Sequence, residues 1–359
     1  MKKVLVIGSG LTGLWISKKL KEHGHEVTLL ESREVAGGRY RRARENTPFE
    51  SPDLNFFPGD EAHQEVLKRL SKDQPDFFDW TIEPHQSLTH SHSEWRSFVG
   101  FGNDPAASVD QLSQWNVATS LEFKPLGAQI VAQILEDPQF QIRLRTEVTG
   151  VQVEDGRVKS VTINGSTELE ADEFVFCPSP SRLLELVSRE GLKSATRSRL
   201  ARATGWTAIF LRLDHAEEFS KDRSLRFLLG TGKDLEPAVG RIFEDHSIWM
   251  SLVSAEKALE PDYVTGQIKA IKRVLKRHLP EVLEKTSMEH IFIQNEAYGA
   301  LDLKTKSPIK FNEISNLWIA NHRTSPLMGT LAELDSAEAI ISELFVAEPQ
   351  SPVLTEQQL

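Results

Sequence analysis

The sequence predicts an α/β fold: a parallel sheet with flanking helices and a β-meander, into which a second α+β region is inserted. Three observations carry this expectation. Near the N-terminus, Lys3–Ile7 is a short aliphatic run followed at once by Gly8-Ser9-Gly10-Leu11-Thr12-Gly13 and a proline-free segment reaching about His23. In the middle, two turn signals, Asp155-Gly156 and Asn164-Gly165, separate β-rich runs. Towards the C-terminus, Asn316–Ala320 reads as a strand, 321–329 as a loop containing Pro326, and Thr330–Phe345 as a helix.

The N-terminal elements follow from their residues. Lys3–Ile7 is apolar without alternation, as a strand buried on both faces requires. In the next segment Gly13, Ser17 and Leu20 share one helical face, and Gly24 stops the helix as a C-terminal glycine does. Glu26–Leu30 is a second strand ending in Glu31. The pattern is that of a Rossmann-type unit. Gly8 permits the tight turn, Gly10 lets backbone approach a pyrophosphate, and Gly13 lets helix and strand pack closely. The helix N-terminus offers unpaired N–H groups and partial positive charge to phosphate. Glu31, 21 residues after Gly10, is placed to accept from ribose hydroxyls and would repel a 2′-phosphate, which disfavours NADP.

Composition removes several functional classes. The chain has 359 residues, 39% hydrophobic and 26% charged, which suits a globular protein with a substantial core. Its formal charge of −10 disfavours nucleic acid as a general partner. The single cysteine, Cys177, forbids an internal disulfide and fits a cytoplasmic setting. No apolar run reaches the ~18 residues of a membrane span, and Val4–Ile7 is too short for a signal-peptide core. There is no Gly-x-Ser-x-Gly elbow, P-loop or His-Glu-x-x-His, so hydrolase and kinase readings lack support. His85, His90 and His92 lie near Glu83 and Glu94, but the spacing is read as a polar loop, and no metal is expected. The basic stretch at Lys269, Lys272, Arg273, Lys276 and Arg277 is read as a solvated helix face.

Shortly after Glu31 stands Gly37-Gly38-Arg39. Together with Gly8, Gly10, Gly13 and Glu31 it resembles the start of the flavin-containing amine oxidase superfamily. That group includes monoamine oxidases, protoporphyrinogen oxidase, phytoene-desaturase-like enzymes and shorter renalase-like proteins. The resemblance implies FAD, with the Gly-Gly-Arg segment running past the pyrophosphate, where a guanidinium pairs well with phosphate. Arg41, Arg42 and Arg44 are read as solvated. Lys124-Pro125-Leu126-Gly127 before a helix at Ala128–Leu135 is similar to a second family segment, although Ala128 replaces a glycine. The runs Gln141–Val148, Gly150–Thr162 and Glu168–Cys177 are read as a strand, a hairpin and a returning strand. Val148 matches the family's valine at the adenine. The C-terminal strand, loop and helix resemble the last flavin segment, but Ala320-Asn321 stands where the family has Gly-Asp.

On this resemblance the cofactor-binding residues are Gly8, Gly10, Leu11, Thr12, Gly13, Glu31, Ser32, Gly37, Gly38, Arg39, Val148, Asn321, Gly329, Thr330 and Leu331. The last three would offer helix N–H groups to the flavin, and Asn321 a hydrogen bond to a ribityl hydroxyl. The expected FAD-binding domain is discontinuous: 1–45, 124–182 and 312–346. The expected substrate domain is 46–123 with 183–311, and 347–359 is expected to be a polar, disordered tail. Phe49, Phe56, Phe57, Trp80, Trp95, Trp115, Trp206 and Trp249 are candidates for an apolar pocket, with Trp206 and Trp318 nearest the flavin. Cys177 is expected to be a buried, inert thiol. The implied activity is oxidation of a C–N or C–C bond of a small or apolar substrate by hydride transfer to flavin N5, with oxygen or another acceptor completing the cycle. No catalytic base is assigned. A flavoprotein monooxygenase and a degenerate, non-catalytic FAD- or dinucleotide-binding relative are the alternatives.

Overall fold

A computed structural model describes residues 1–40, 54–91, 93–104, 106, 108–138, 140–202, 205–219, 222–230, 236–299 and 313–346. Arg41, Arg42, Arg44, Phe49, His92 and the 347–359 tail therefore lie outside the described residues.

Five strands form a parallel sheet in the order Leu317–Ile319, Glu173–Phe176, Lys3–Ile7, Glu26–Leu30 and Ile142–Arg143. Lys3–Ile7 occupies the centre, which is why it is apolar on both faces. Val4 and Val6 face one layer, with the helices Leu11–Glu22, Gly127–Leu135 and Gly329–Val346. Leu5 and Ile7 face the other, where the antiparallel strands Val148–Glu154, Arg157–Ile163 and Thr167–Leu169 form the meander. Both expected turns are present. Asp155 and Gly156 have φ of 48° and 72°, and Asn164 and Gly165 have φ of 49° and 79°. Positive φ at both central residues is the geometry that matches strand twist in a two-residue hairpin.

Two sequence expectations are corrected in this region. Gln141–Val148 is not one strand. Ile142–Arg143 ends on the parallel sheet, Arg145 takes a φ of 52°, and the chain restarts at Val148 in the meander. Glu168–Cys177 likewise divides into Thr167–Leu169 and Glu173–Phe176, on different sheets. The crossing is fixed where Lys3 N–H donates to Asp172 Oδ2 at 2.7 Å and Asp172 N–H donates to the Lys3 carbonyl at 2.9 Å.

A second, seven-stranded sheet has the order Thr286–Tyr298, Trp206–His215, His246–Val253, Ala238–Ile242, Leu225–Leu228, Ser87–Ser91 and Glu94–Ser97. One face packs on the helix Pro261–His278 through Ile268, Ile271 and Leu275. The basic residues of that helix lie on its other side, half-buried or exposed, as expected. The histidine region is not a polar loop: Ser87–Ser91 and Glu94–Ser97 form a hairpin, and His90 stacks on His278 with ring centroids 3.4 Å apart. A short third sheet, Phe57–Pro58, Thr119–Lys124 and Asp79–Pro84, packs with the helix Glu61–Asp73 into the same core as Trp15 and the last helix.

Gly13 shows how closely the first turn is packed. A Cβ there would lie 2.0 Å from the Gly8 carbonyl oxygen. Gly13→Ala therefore forces helix and strand apart and is expected to cost about 1–3 kcal/mol. Urea unfolding of the variant checks this; an unchanged midpoint would refute the packing argument.

Candidate functional site

The first strand, first turn and second strand open onto a cleft of about 970 Å³. That is the upper end of the range for small-molecule sites. Its floor is Gly8, Ser9 and Gly10 with Gly38 and Arg39 alongside; Glu31, Ser32 and Val148 stand at one end. Ile291 and Ile293, from the outer strand of the seven-stranded sheet, form the opposite wall. Cys177 and Pro178 complete the floor.

Two chain segments make the cradle by close backbone approach. Gly37 N–H donates to the Ser9 carbonyl at 2.9 Å. Gly38 has a φ of 57°, and a Cβ there would lie 2.7 Å from Gly10 Cα. A side chain at position 38 does not fit between the two turns, whereas a Cβ on Gly10 would stand 4.0 Å from Gly38 Cα. Gly10 is also the N-cap of Leu11–Glu22, so the first N–H groups of that helix begin at this cradle.

Glu31 is buried, at 8% exposure, and its carboxylate is well supplied with donors. Oε2 accepts from Ser9 N–H at 3.0 Å and Ser9 Oγ at 2.7 Å. Oε1 accepts from Arg33 N–H at 3.0 Å and Ser32 Oγ at 3.3 Å. Two of these donors are hydroxyls, which can rotate away.

Arg39 ties three elements together. Its Nη2 lies 2.8 Å from Glu333 Oε1 on the last helix, and its Nη1 donates to the Ala297 carbonyl at 3.3 Å. Beside it, His322 is half-buried and donates through Nε2 to the Glu296 carbonyl at 2.9 Å. Burial, then the charge of Arg39 and, more weakly, that of Arg323, holds the His322 pKa well below its ordinary value. Arg323 is itself buried and pairs with Glu296 at 3.3 Å. Cys177 is pushed to a higher pKa, first by burial and then by the negative charge of Glu333. It remains a thiol near neutrality, but it is half-buried in the cleft lining rather than buried as expected.

The remaining candidates fall outside the cleft lining. Leu11, Thr12 and Gly13 lie on the first helical turn, and Gly37 behind Gly38. Asn321 is buried; its Nδ2 donates to the Pro178 carbonyl at 2.8 Å, and its Oδ1 accepts from Arg323 N–H at 2.9 Å. Thr330 Oγ lies 3.0 Å from the Tyr40 hydroxyl, Leu331 is fully buried, and a Cβ on Gly329 would meet the Phe57 ring at 2.9 Å. The aromatic candidates are largely core. Phe57, Trp115 and Trp249 are fully buried, and Trp318 donates to Glu173 Oε2 at 2.8 Å within the parallel-sheet core. Phe56, Trp80, Trp95 and Trp206 do not line the cleft either; its aromatic members are Phe176 and Phe292. Sequence reasoning missed Ser9, Glu333, His322, Arg323 and Glu296. Ser9 lay inside the glycine motif; for the others the signal is tertiary.

A parallel sheet with a glycine turn after its first strand and a carboxylate at the end of its second is a Rossmann-type fold, here carrying a second large sheet. Comparison with known proteins gives the particulars. Residues 6–70 match the NAD(P)-binding Rossmann-like domain family. An oxidoreductase from Methanosarcina mazei superposes with a TM-score of 0.68 at 14% identity, covering 95% of this chain and 100% of that one. Cyclohexylamine oxidase from Brevibacterium oxydans gives 0.63 at 13% identity, covering 96% and 99%. The L-amino acid oxidase Lm29 of Lachesis muta is 47% identical over 71 residues, 20% of this chain but only 14% of that protein's length. The structural likeness establishes the fold over nearly the whole chain. The resemblance to the flavin-containing amine oxidase superfamily is borne out by the fold and by these matches. Among the described residues, no helix is long and apolar enough to cross a membrane.

His322 supplies a pH prediction. Unfolded, it protonates near 6.5; folded, it resists protonation. Its contribution to stability is thus present above about 6.5 and is lost as pH falls toward the depressed folded value. The loss is up to about 1.4 kcal/mol per pH unit. Urea midpoints measured from pH 7 to 5 should fall, and the slope should flatten in His322→Asn. Equal slopes in the two proteins would contradict an imidazole held neutral.

Proposed function

We propose that this chain is an FAD-dependent oxidoreductase that oxidises a C–N or C–C bond of a small or apolar substrate. The observation that carries the reading is the cradle: two backbone turns in contact at Gly10 and Gly38, Arg39 beside them and a buried Glu31 at the far end. The residues present fit the cofactor. Gly8 and Gly38 keep positive φ, and the Gly38 backbone lies against Gly10 where a Cβ on Gly38 would clash, so backbone lines the place for a pyrophosphate, with the N-terminus of the first helix beside it. Glu31 would take the ribose hydroxyls as the Ser9 and Ser32 hydroxyls turn aside, and its charge argues against a 2′-phosphate. Val148 would border the adenine.

Bound FAD would supply the hydride acceptor at N5. The chain's own contribution is positioning, charge and exclusion of water. Ile291 and Ile293 line the cleft from the seven-stranded sheet and give it an apolar side. His322, held neutral, donates to the Glu296 carbonyl and so fixes the strand end that carries Ala297 against Arg39. Gly329, Thr330 and Leu331 open the last helix, and we assign them, with Asn321, to the flavin end. The amine-oxidising neighbours support the C–N reading.

The absorbance spectrum of the purified protein, before and after FAD, is the test. Oxidised-flavin bands that an amine or alkene-forming substrate bleaches without oxygen would support the proposal. A protein that retains no flavin bands once unbound FAD has been removed by gel filtration would overturn it and leave the non-catalytic relative as the reading.

A further inference from the structure

The last helix delivers a carboxylate to the arginine of the cradle. Glu333 lies one turn into Gly329–Val346, with its side chain 7% exposed, and Oε1 stands 2.8 Å from Arg39 Nη2. Its backbone is seated on the first turn of Leu11–Glu22, where Thr12 Oγ donates to its carbonyl at 3.4 Å. Its charge also reaches the Cys177 thiol in the cleft floor. A fixed negative charge is therefore built behind the glycine cradle, beside the positive pole of the first helix.

A cradle for a pyrophosphate, itself an anion, needs the opposite. The carboxylate pairs by charge with the guanidinium that phosphate oxygens would use, and it repels those oxygens in a site of low dielectric. We propose that Glu333 competes with the dinucleotide's pyrophosphate for Arg39 and so sets cofactor affinity. This rests on the FAD reading above. The Arg39–Glu333 ion pair sets a carboxylate against the half-buried Arg39 and holds the last helix to the Gly38–Tyr40 turn. Cofactor binding exchanges one anion for another on the same guanidinium, so the internal ion pair is a cost of binding. The cofactor is held reversibly rather than locked in.

The test titrates FAD into the full-length chain and follows quenching of flavin fluorescence. The four proteins are wild type, Glu333→Gln, Arg39→Met and the double variant. Glu333→Gln should bind FAD about tenfold more tightly or better, the worth of one charge-assisted hydrogen bond. Its midpoint of thermal unfolding without FAD should fall, because the half-buried guanidinium has lost its counter-charge. In the Arg39→Met background the same substitution should change affinity by less than about threefold, since the contested group is gone. Should Glu333→Gln fail to fold, Glu333→Asp draws the carboxylate back by one methylene. It should bind FAD more tightly than wild type, and affinity equal to or below wild type would overturn the proposal. Wild type that binds FAD with a Glu333→Gln that binds no tighter overturns the competition alone. Equal tightening with and without Arg39 also overturns it, in favour of plain repulsion. Failure of all four proteins to bind FAD overturns the cofactor reading itself.

Discussion

The contact between Gly10 and Gly38 is the constraint on which the rest of the molecule is arranged. The turn at Gly10 and the turn at Gly38 meet backbone to backbone, with no room for a Cβ on Gly38. The Gly37 N–H to Ser9 carbonyl bond holds them in register. Once that contact exists, the direction of the next two side chains is fixed. Arg39 points between the last helix and the outer strand of the seven-stranded sheet, and Tyr40 packs beneath Gly127 and Thr330. The cleft is what remains above the contact. Its shape is thus set by backbone, which is stiffer than any side-chain lining.

Charge follows the same geometry. The glycine turns leave N–H groups and a helix pole at the cradle, and the chain answers them with carboxylates of its own. Glu31 takes Ser9 and Arg33 N–H groups, and Glu333 takes Arg39. Each is buried, where an unpaired polar group would be costly. Under the reading proposed above, the two carboxylates would meet a ligand differently: the hydroxyls of Ser9 and Ser32 can leave Glu31 by rotation, whereas the Arg39–Glu333 pair must separate two charges.

The fold was legible where one short stretch of chain determines an element. Lys3–Ile7, the glycine turn, Leu11–Glu22 and Glu26–Leu30 are local, and their residue types admit few alternatives. Asp155-Gly156 and Asn164-Gly165 were equally plain, because positive φ restricts the residues that tolerate it. Reading failed where one β-rich run serves two sheets. Nothing in the alternation of 141–148 or 168–177 marks the transfer; it is forced by Arg145 turning back to Arg33 and by Asp172 bonding to Lys3. The candidate site shows the same division. The cradle and Glu31 follow from spacing, whereas Glu333, His322 and Arg323 meet Arg39 and Glu296 only through packing of the last strand, loop and helix. Aromatic residues misled for a related reason. A tryptophan near a cofactor motif in sequence, such as Trp318, can point into the helix layer of the sheet instead.

The Ala320-Asn321 pair shows how a local departure from a motif can be absorbed. Ala320 is fully buried and its N–H donates to the Phe176 carbonyl, extending the parallel sheet by one more bond. Asn321 then joins Pro178 to the start of the following turn through both ends of its amide. The loop beyond is braced in turn. Arg323 reaches Ser179 and Glu296, Ser325 bonds Asp335 on the last helix, and Met328 N–H donates to His63, whose other nitrogen is held by Asp60. An amide here supplies both a donor and an acceptor, which an aspartate in its ionised form would not. The side chain at this position therefore acts first as a strut for the loop that presents the last helix. Glu31 and Asn321 thus differ in kind: Glu31 lines the cleft, held by two backbone N–H groups and two rotatable hydroxyls, whereas Asn321 is part of the frame.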